Sequence, residues 1–327
     1  MTAQLLTADL AAKPDALTAL ADRLARHDPF SALPALVDDE PAGILLLGTG
    51  AARYACEAAA ARMRLAGLGA VAEYAATERS LPPGPDTLVV AVSVGGGLRE
   101  LCTALDEYVE RSAIIVLTPD PDSPVARYAD ILVPLLSGVE RSGLSCRAYQ
   151  NALALLLLLG HRLGAPAAGA ADLTRSLRRA ANAIADLVDR APAWVPDVAA
   201  ALDSRDGVHL VAPVERLASA RQAALAIRQG PVRAAYAAES GEWSHTDRYL
   251  AAVTDYRALL FTGSHYDERV ADHLLQLHGT LVAVGGAVEG AAAAVRYLGD
   301  GDPDVRLLTE PVVGELLAAH WWRRRRA

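Results

Sequence analysis

The sequence predicts an α/β protein of two units, each built on a parallel sheet between helices. Three observations carry this reading. Short apolar runs recur along the chain, among them Gly43–Gly48, Leu88–Val92 and Ala113–Leu117. Segments with helical spacing stand between them, at the rhythm of strand–helix units. The strand runs are apolar throughout rather than alternating, which suits sheets covered on both faces.

In order along the chain, residues 8–26 have helical periodicity, with Leu10, Leu17, Leu20 and Leu24 on roughly one face. Gly43–Gly48 reads as the first strand, and an alanine-rich helix follows over Ala51–Leu65. Ala70–Tyr74, Leu88–Val92, Ala113–Leu117 and Ile131–Val133 read as further strands, with helices over Leu98–Val109 and Pro124–Ala129. Long helices are predicted over Cys146–Leu163 and Leu173–Asp189, joined by the linker GAPAAGAAD. Pro192 and Pro196 read as an interruption. The alternation then restarts, with strands at Val208–Ala212, Ala258–Thr262, Thr280–Val284 and Val305–Leu308. The boundaries that follow are 1–165 for the first domain with its N-terminal helix, 166–190 for a connecting helix and 191–327 for the second domain. The halves share a pattern but no evident sequence repeat.

Composition narrows the function classes. Of 327 residues, 52% are hydrophobic and 21% charged, which favours large cores over disorder. The net charge of −8 gives no basic face for nucleic acid. The one basic run, Arg323–Arg326, reads as a solvated tail or a last helical turn, where positive charge suits the helix dipole. The longest apolar run, Ala152–Gly160, is too short to span a bilayer, and the N-terminus has no leader pattern. The expectation is a cytoplasmic protein. Cys56, Cys102 and Cys146 are scattered and odd in number, so neither a disulfide frame nor a metal is expected, and no cofactor is implied.

Two strand ends carry glycine: Gly48-Thr49-Gly50 and Ser93-Val94-Gly95-Gly96-Gly97. Each precedes a helix. Ligands of open parallel sheets sit at such ends, and backbone N–H groups at a helix start can hold an anion without lysine. Neither loop fits GxGxxG or a P-loop, so a dinucleotide is not expected.

These loops, with their neighbours, resemble the sugar isomerase (SIS) family, and within it the isomerase half of the glucosamine-6-phosphate synthases. Asp9-Leu10-Ala11-Ala12-Lys13-Pro14 resembles the family's opening Glu-Ile-x-x-Gln-Pro. Leu47-Gly48-Thr49-Gly50 lies where the family has Cys-Gly-Thr-Ser, and Ser93 to Leu98 where it has Ser-Gln-Ser-Gly-Glu-Thr. Residues 116–140 are similar to its run through Pro-x-Ser-x-Leu-Ala-x-x-Ala-Asp. Ser145-Cys146-Arg147-Ala148-Tyr149 replaces Ser-Thr-Lys-Ala-Phe, and Gly241-Glu242-Trp243-Ser244-His245 resembles Gly-Glu-Leu-Lys-His. The resemblance implies two SIS-type three-layer αβα domains, a homodimer, and a sugar-phosphate pocket built mainly from the first domain. It implies that His245 opens the sugar ring, and that the ligand meets Gly48, Thr49, Gly50, Ser93 to Gly97 and Ser145.

The departures bear on chemistry. Sixteen residues before His245, where the family has its proton-shuttling glutamate, stands Gln229. An amide cannot take a proton near pH 7. The family's lysine falls on Ala226, and an earlier glutamate on Gln222. Val94, Gly95 and Leu98 replace side-chain donors of the phosphate loop. Glu242 is the candidate substitute base, and Glu239 a second, since a pocket can raise a carboxylate towards neutrality. Asp247 either orients His245 or caps a helix. Arg147 either meets an anion or lies along a surface helix. Glu140 lies near a family site position. Trp321 and Trp322 are expected to pack the last helix.

Three functions stay open at this point. One is a phosphosugar (aldose–ketose) isomerase or aminosugar deaminase-like enzyme. Another is a catalytically inactive SIS protein that binds a sugar phosphate and acts through a partner protein. The third is a structural homodimer with a vestigial pocket.

Overall fold

The computed structural model describes residues 2–37, 41–95, 99–164 and 170–325. Two parallel five-stranded sheets organise the chain. The first contains β1 (Gly43–Gly48), β2 (Ala70–Tyr74), β3 (Thr87–Val92), β4 (Ala113–Thr118) and β5 (Ile131–Pro134). The second contains β6 (Val208–Ala212), β7 (Ala235–Glu239), β8 (Arg257–Phe261), β9 (Thr280–Val284) and β10 (Ala293–Val295).

The first sheet runs β2-β1-β3-β4-β5 and the second β7-β6-β8-β9-β10. These are the same order, first strand second from one edge. The pattern similarity of the halves is thus a repeated topology, held without a sequence repeat. Each chain path leaves its first strand to one side and then crosses back to the other. That reversal opens a crevice at the carboxyl ends of β1 and β3, and of β6 and β8.

In β1, Leu45 and Leu47 pack with Leu101 and Leu105 of the helix Arg99–Leu105, while the alternate residues Ile44 and Leu46 are buried too. The helix Ala51–Leu65 lies on β1 and β2 and packs on the helix Arg147–Arg162. Burial of both pleat faces explains the unbroken apolar runs. In the second sheet, Val211, Ala258 and Leu260 pack with Val270 and Leu274 of the helix Asp267–Gln276. The helix Leu217–Gln229 lies on β6 and β7, and the helix Pro311–Arg324 packs on it.

The chain divides into two compact units. One holds Asp15–Glu140 and Ser145–Arg178; the other holds Met1–Pro14, Arg141–Leu144 and Arg179–Ala327. The N-terminal helix Ala3–Ala11 belongs to the unit of the second sheet. Two features tie it there. It packs on the helix Pro311–Arg324, and Asp9 Oδ2 accepts the Ser142 N–H at 2.8 Å.

Four local expectations are corrected. Residues 8–26 form two helices, Ala3–Ala11 and Lys13–Leu24, not one. Pro192 and Pro196 do not interrupt; both lie in the helix Ala191–Ala201, Pro192 in its first turn where no N–H is needed. Val305–Leu308 is not a strand but the core of the helix Pro303–Thr309, started by Asp302, whose side chain accepts the N–H groups of Asp304 and Val305. Finally, β7 and β10 were not foreseen. Trp321 and Trp322 are buried as expected, and Arg323 and Arg324 end the last helix in solvent. Arg326 and most of the linker GAPAAGAAD lie outside the described residues.

Candidate functional site

The crevice of the first sheet is built by two adjacent strand ends. β1 and β3 are paired in register, Leu47 opposite Ala91, so Gly48-Thr49-Gly50 and Ser93-Val94-Gly95 leave the same edge side by side. Gly48 is required by packing: a Cβ there would stand 2.8 Å from the Arg53 nitrogen. Gly50 is required by conformation, with φ +51° and ψ −123°, a region closed to ordinary side chains. It begins the helix Ala51–Leu65, and no side chain caps that start. The start of this fifteen-residue helix, with its positive dipole end, therefore lies beside Thr49, whose carbonyl accepts the Ala52 N–H at 3.1 Å.

Ser93 is buried and its own N–H goes to the Leu117 carbonyl. Val94 is half-buried and Gly95 exposed. A Cβ at Gly95 would meet nothing within 4 Å among the described residues, so space lies above the loop. Gly96, Gly97 and Leu98 lie outside the described residues. One turn into the helix, Arg53 is committed elsewhere: it pairs with Glu57 and stacks 3.7 Å above the Tyr74 ring.

Ser145 is half-buried just ahead of the helix Arg147–Arg162. The start of that helix is already filled. Glu140 accepts from the Cys146, Arg147 and Ala148 N–H groups at 2.6, 2.6 and 3.2 Å. Glu140 is thus an internal anion at a helix N-terminus. Replacing it by alanine orphans three donors, and the expected cost is about 3 kcal/mol of stability, read by urea denaturation, with Glu140→Gln falling between. Arg147 does not lie along a surface helix. It is buried and donates to the Val139 carbonyl at 2.6 Å, which closes the turn that carries Glu140.

The remaining candidates lie in the other unit. Gln229 is exposed at the last residue of the helix Leu217–Gln229. Ala226 is buried, and Gln222 is buried and donates to Glu315. Both are packing positions. Glu242 and His245 are exposed on and just after the short helix Ser240–Trp243. Glu239 is the cap of that helix, accepting the Glu242 N–H at 2.8 Å, so its carboxylate is engaged. Asp247 does not orient His245. Its Oδ1 accepts from the Tyr256 hydroxyl at 2.8 Å and lies 3.4 Å from His209 Nδ1. Burial would raise the Asp247 carboxyl, but His209 and Tyr256 hold it below the usual range.

That network escaped the sequence reading. Trp243 Nε1 donates to the Tyr256 hydroxyl at 2.9 Å, and His209 stacks on Tyr256 with ring centres 3.7 Å apart. It fastens the segment bearing Glu242 and His245 to β6. The available signal was a histidine in the middle of the apolar run Val208–Ala212, which must find a partner when buried.

The crevice of the second sheet, between β6 and β8, is plugged by the protein itself. Arg216 is buried, bonds Glu310 Oε2 at 2.9 Å and donates to the Thr262 carbonyl; Arg306 donates to the same carbonyl at 2.6 Å. Burial pushes the Glu310 carboxyl up to about 7, against the pull of Arg216 and Arg306. Folded Glu310 thus keeps its proton at pH values where the unfolded chain, near 4.5, has lost it. Stability is expected to fall as pH rises from about 4.5 to about 7, by ~3 kcal/mol in all, and Glu310→Gln should flatten that slope in denaturation curves taken at several pH values.

Among the described residues no cluster of three His, Cys, Asp or Glu side chains could hold a metal, and no helix is long and apolar enough to cross a membrane.

Comparison with known proteins agrees with this geometry. No curated protein matches the chain. The fold is similar to that of the C-terminal domain of glucosamine-fructose-6-phosphate aminotransferase from Francisella tularensis, with TM-score 0.80 and 17% identity, covering 98% of this chain and 96% of that one. It is similar to tagatose-6-phosphate ketose/aldose isomerase from Escherichia coli, with TM-score 0.73 and 15% identity over 98% and 95% of the two chains. It is also similar to glucosamine-6-phosphate deaminase from Thermotoga maritima, with TM-score 0.66 and 15% identity over 95% and 94%. At these identities the likeness is one of fold. The family model for the SIS domain matches residues 40–162, the stretch that holds β1 to β5 and both glycine loops.

Proposed function

We propose that this protein binds a phosphorylated or otherwise anionic sugar in the crevice between β1 and β3 and acts on it as an aldose–ketose isomerase. The uncapped start of the helix Ala51–Leu65, beside Thr49 and Ser93, is the observation that carries the reading. It offers backbone donors and a dipole to an anion. The corresponding crevice of the second sheet, between β6 and β8, is filled by Arg216 and Glu310, whereas no such ion pair is seen between β1 and β3 among the described residues. Named relatives of the same fold that handle hexose phosphates support the same class.

In this reading the anion is held by backbone N–H groups with Thr49, Ser93 and Ser145, without a cation. Affinity for an ordinary hexose phosphate is then modest, since each lost side-chain hydrogen bond removes roughly 0.5–1.5 kcal/mol. His245 opens the ring. Glu242 moves the proton between C1 and C2, because Gln229 has no basic oxygen and Glu239 is held as a cap. Two copies of the chain form a homodimer. Glu242 and His245 belong to the unit of the second sheet and the loops to the other, so the catalytic part of the reading is separable from the binding part.

The experiment is proton exchange. Hexose and hexosamine 6-phosphates are incubated with the protein in D2O, and deuterium at C2 is followed by NMR. Incorporation supports the isomerase. Saturable binding without incorporation supports the second reading, a sugar-phosphate-binding regulatory protein, which Gln229 at the expected base position favours.

A further inference from the structure

The helix Ser240–Trp243 has four residues, too few to hold itself in water. Yet it carries Glu242, and His245 follows two residues after it. If these side chains act together, something outside the helix must fix them. One residue does so from two directions. Tyr256, 1% exposed and just ahead of β8, accepts from Trp243 Nε1 at 2.9 Å and donates to Asp247 Oδ1 at 2.8 Å. Trp243 precedes His245 and Asp247 follows it. A single phenolic oxygen therefore ties the chain on both sides of the histidine.

Each arm is reinforced. Trp243 is fully buried and meets the Tyr256 ring edge-on, with centres 5.9 Å apart. The Thr246 hydroxyl lies 3.2 Å from Asp247 Oδ2 and 3.2 Å from the Glu242 carbonyl. The His245 N–H returns to that same carbonyl at 2.8 Å. The backbones of Glu242 and His245 are thus joined in one chain of bonds that ends on Tyr256. His209, buried in β6, stacks on the Tyr256 ring and fixes this hub to the sheet. Tyr266 adds a contact at Gly241, where a Cβ would stand 3.0 Å from its ring. Packing alone does not call for tyrosine at 256. Phenylalanine would fill the same volume and keep both ring contacts; the hydroxyl adds the two hydrogen bonds.

We propose that Tyr256 is a positioning residue, whose hydroxyl fixes Glu242 and His245 relative to each other through the backbone and without touching the ligand. Its catalytic consequence rests on the isomerase reading; the positioning rests on geometry. Proton transfer is sensitive to such fixation, since a displacement of about 1 Å can cost on the order of 10²-fold in rate.

The test pairs two readouts on the full-length protein. Amide hydrogen exchange, followed by mass spectrometry without ligand, reports the order of residues 240–247. Deuterium incorporation at C2 of glucose 6-phosphate and glucosamine 6-phosphate reports turnover. In Tyr256→Phe, amide exchange over 240–247 should quicken at least tenfold while β8 and β9 stay protected, and kcat should fall at least tenfold with KM within threefold. Val282→Ala, in the core of β9, should lower the melting temperature and leave kcat unchanged, which separates lost stability from lost positioning. Asp247→Ala removes one arm and should act like Tyr256→Phe. Asp247→Asn, whose amide oxygen still accepts from Tyr256, should recover most of kcat. Unchanged amide exchange in Tyr256→Phe overturns the proposal, as does quickened exchange with kcat intact. Should Tyr256→Phe fail to fold, the two Asp247 variants decide in the same way. A native protein that labels neither sugar at C2 counts against the isomerase reading, and amide exchange then decides the positioning by itself.

Discussion

Replacing Lys13 by methionine is expected to cost about 3–5 kcal/mol of folding stability. Lys13 Nζ lies 2.6 Å from Glu315 Oε2, with the two side chains 1% and 0% exposed. Gln222 donates to the other carboxylate oxygen at 3.2 Å. Removing the lysine leaves a carboxylate in the core with an amide as its remaining partner. Its charge can then neither reach water nor meet a cation. The helix Pro311–Arg324, which carries Glu315, is the one on which the N-terminal helix packs, so the damage is global rather than local. The double variant Lys13→Met, Glu315→Leu should recover most of the loss, because a buried pair is often matched by apolar residues of similar volume. Urea denaturation of the single and double variants reads both outcomes. A single variant within 1 kcal/mol of the native protein contradicts the assignment.

Replacing Glu242 by glutamine is expected to lower turnover by 10²–10⁴, the usual worth of a positioned general base, while sugar-phosphate affinity stays within about threefold. The argument is one of elimination among neighbours. Gln229 has no basic oxygen, Glu239 is consumed as a cap, and Asp247 is held ionised by His209 and Tyr256. Glu242 keeps its fold-supporting role through its backbone, whose N–H goes to Glu239, so the amide should not disturb the helix Ser240–Trp243. Glu239→Gln should weaken that cap and leave chemistry largely intact. Unchanged turnover in Glu242→Gln ends the assignment. Lost binding would mean that Glu242 positions the ligand.

The sheets were legible where burial was two-sided. β1, β3, β4 and β9 announce themselves because both faces need apolar residues, and so each run is unbroken. The edge strand β7 did not. Its sequence AYAAE is half-exposed, and a short alternating run resembles its flanks. Val305–Leu308 misled for the converse reason: four mostly apolar residues fit strand and helix equally, and the decision lay in Asp302-Pro303, a cap followed by a first-turn proline. In the site, the glycines were visible and their reasons were not. Gly50 needs a positive φ and Gly48 a close helix, and neither constraint is written in composition. Partners distant in sequence were least legible. Asp247 stands two residues from His245, yet it bonds Tyr256 and faces His209, thirty-eight residues earlier, because strand order and not chain order sets neighbours. The fill of the second crevice by Arg216 and Glu310 was hidden for the same reason.

The most direct test of the central claim is a thermal-shift titration with hexose and hexosamine 6-phosphates beside the unphosphorylated sugars, on the native protein and on Ser93→Ala. A ligand that binds only the folded state raises the melting temperature by mass action. A crevice that holds an anion between Gly50 and Ser93 predicts a rise with at least one phosphorylated sugar, a smaller rise or none with its unphosphorylated form, and a loss of the effect in Ser93→Ala. A rise produced only by sugars without phosphate, or one that Ser93→Ala leaves whole, contradicts it.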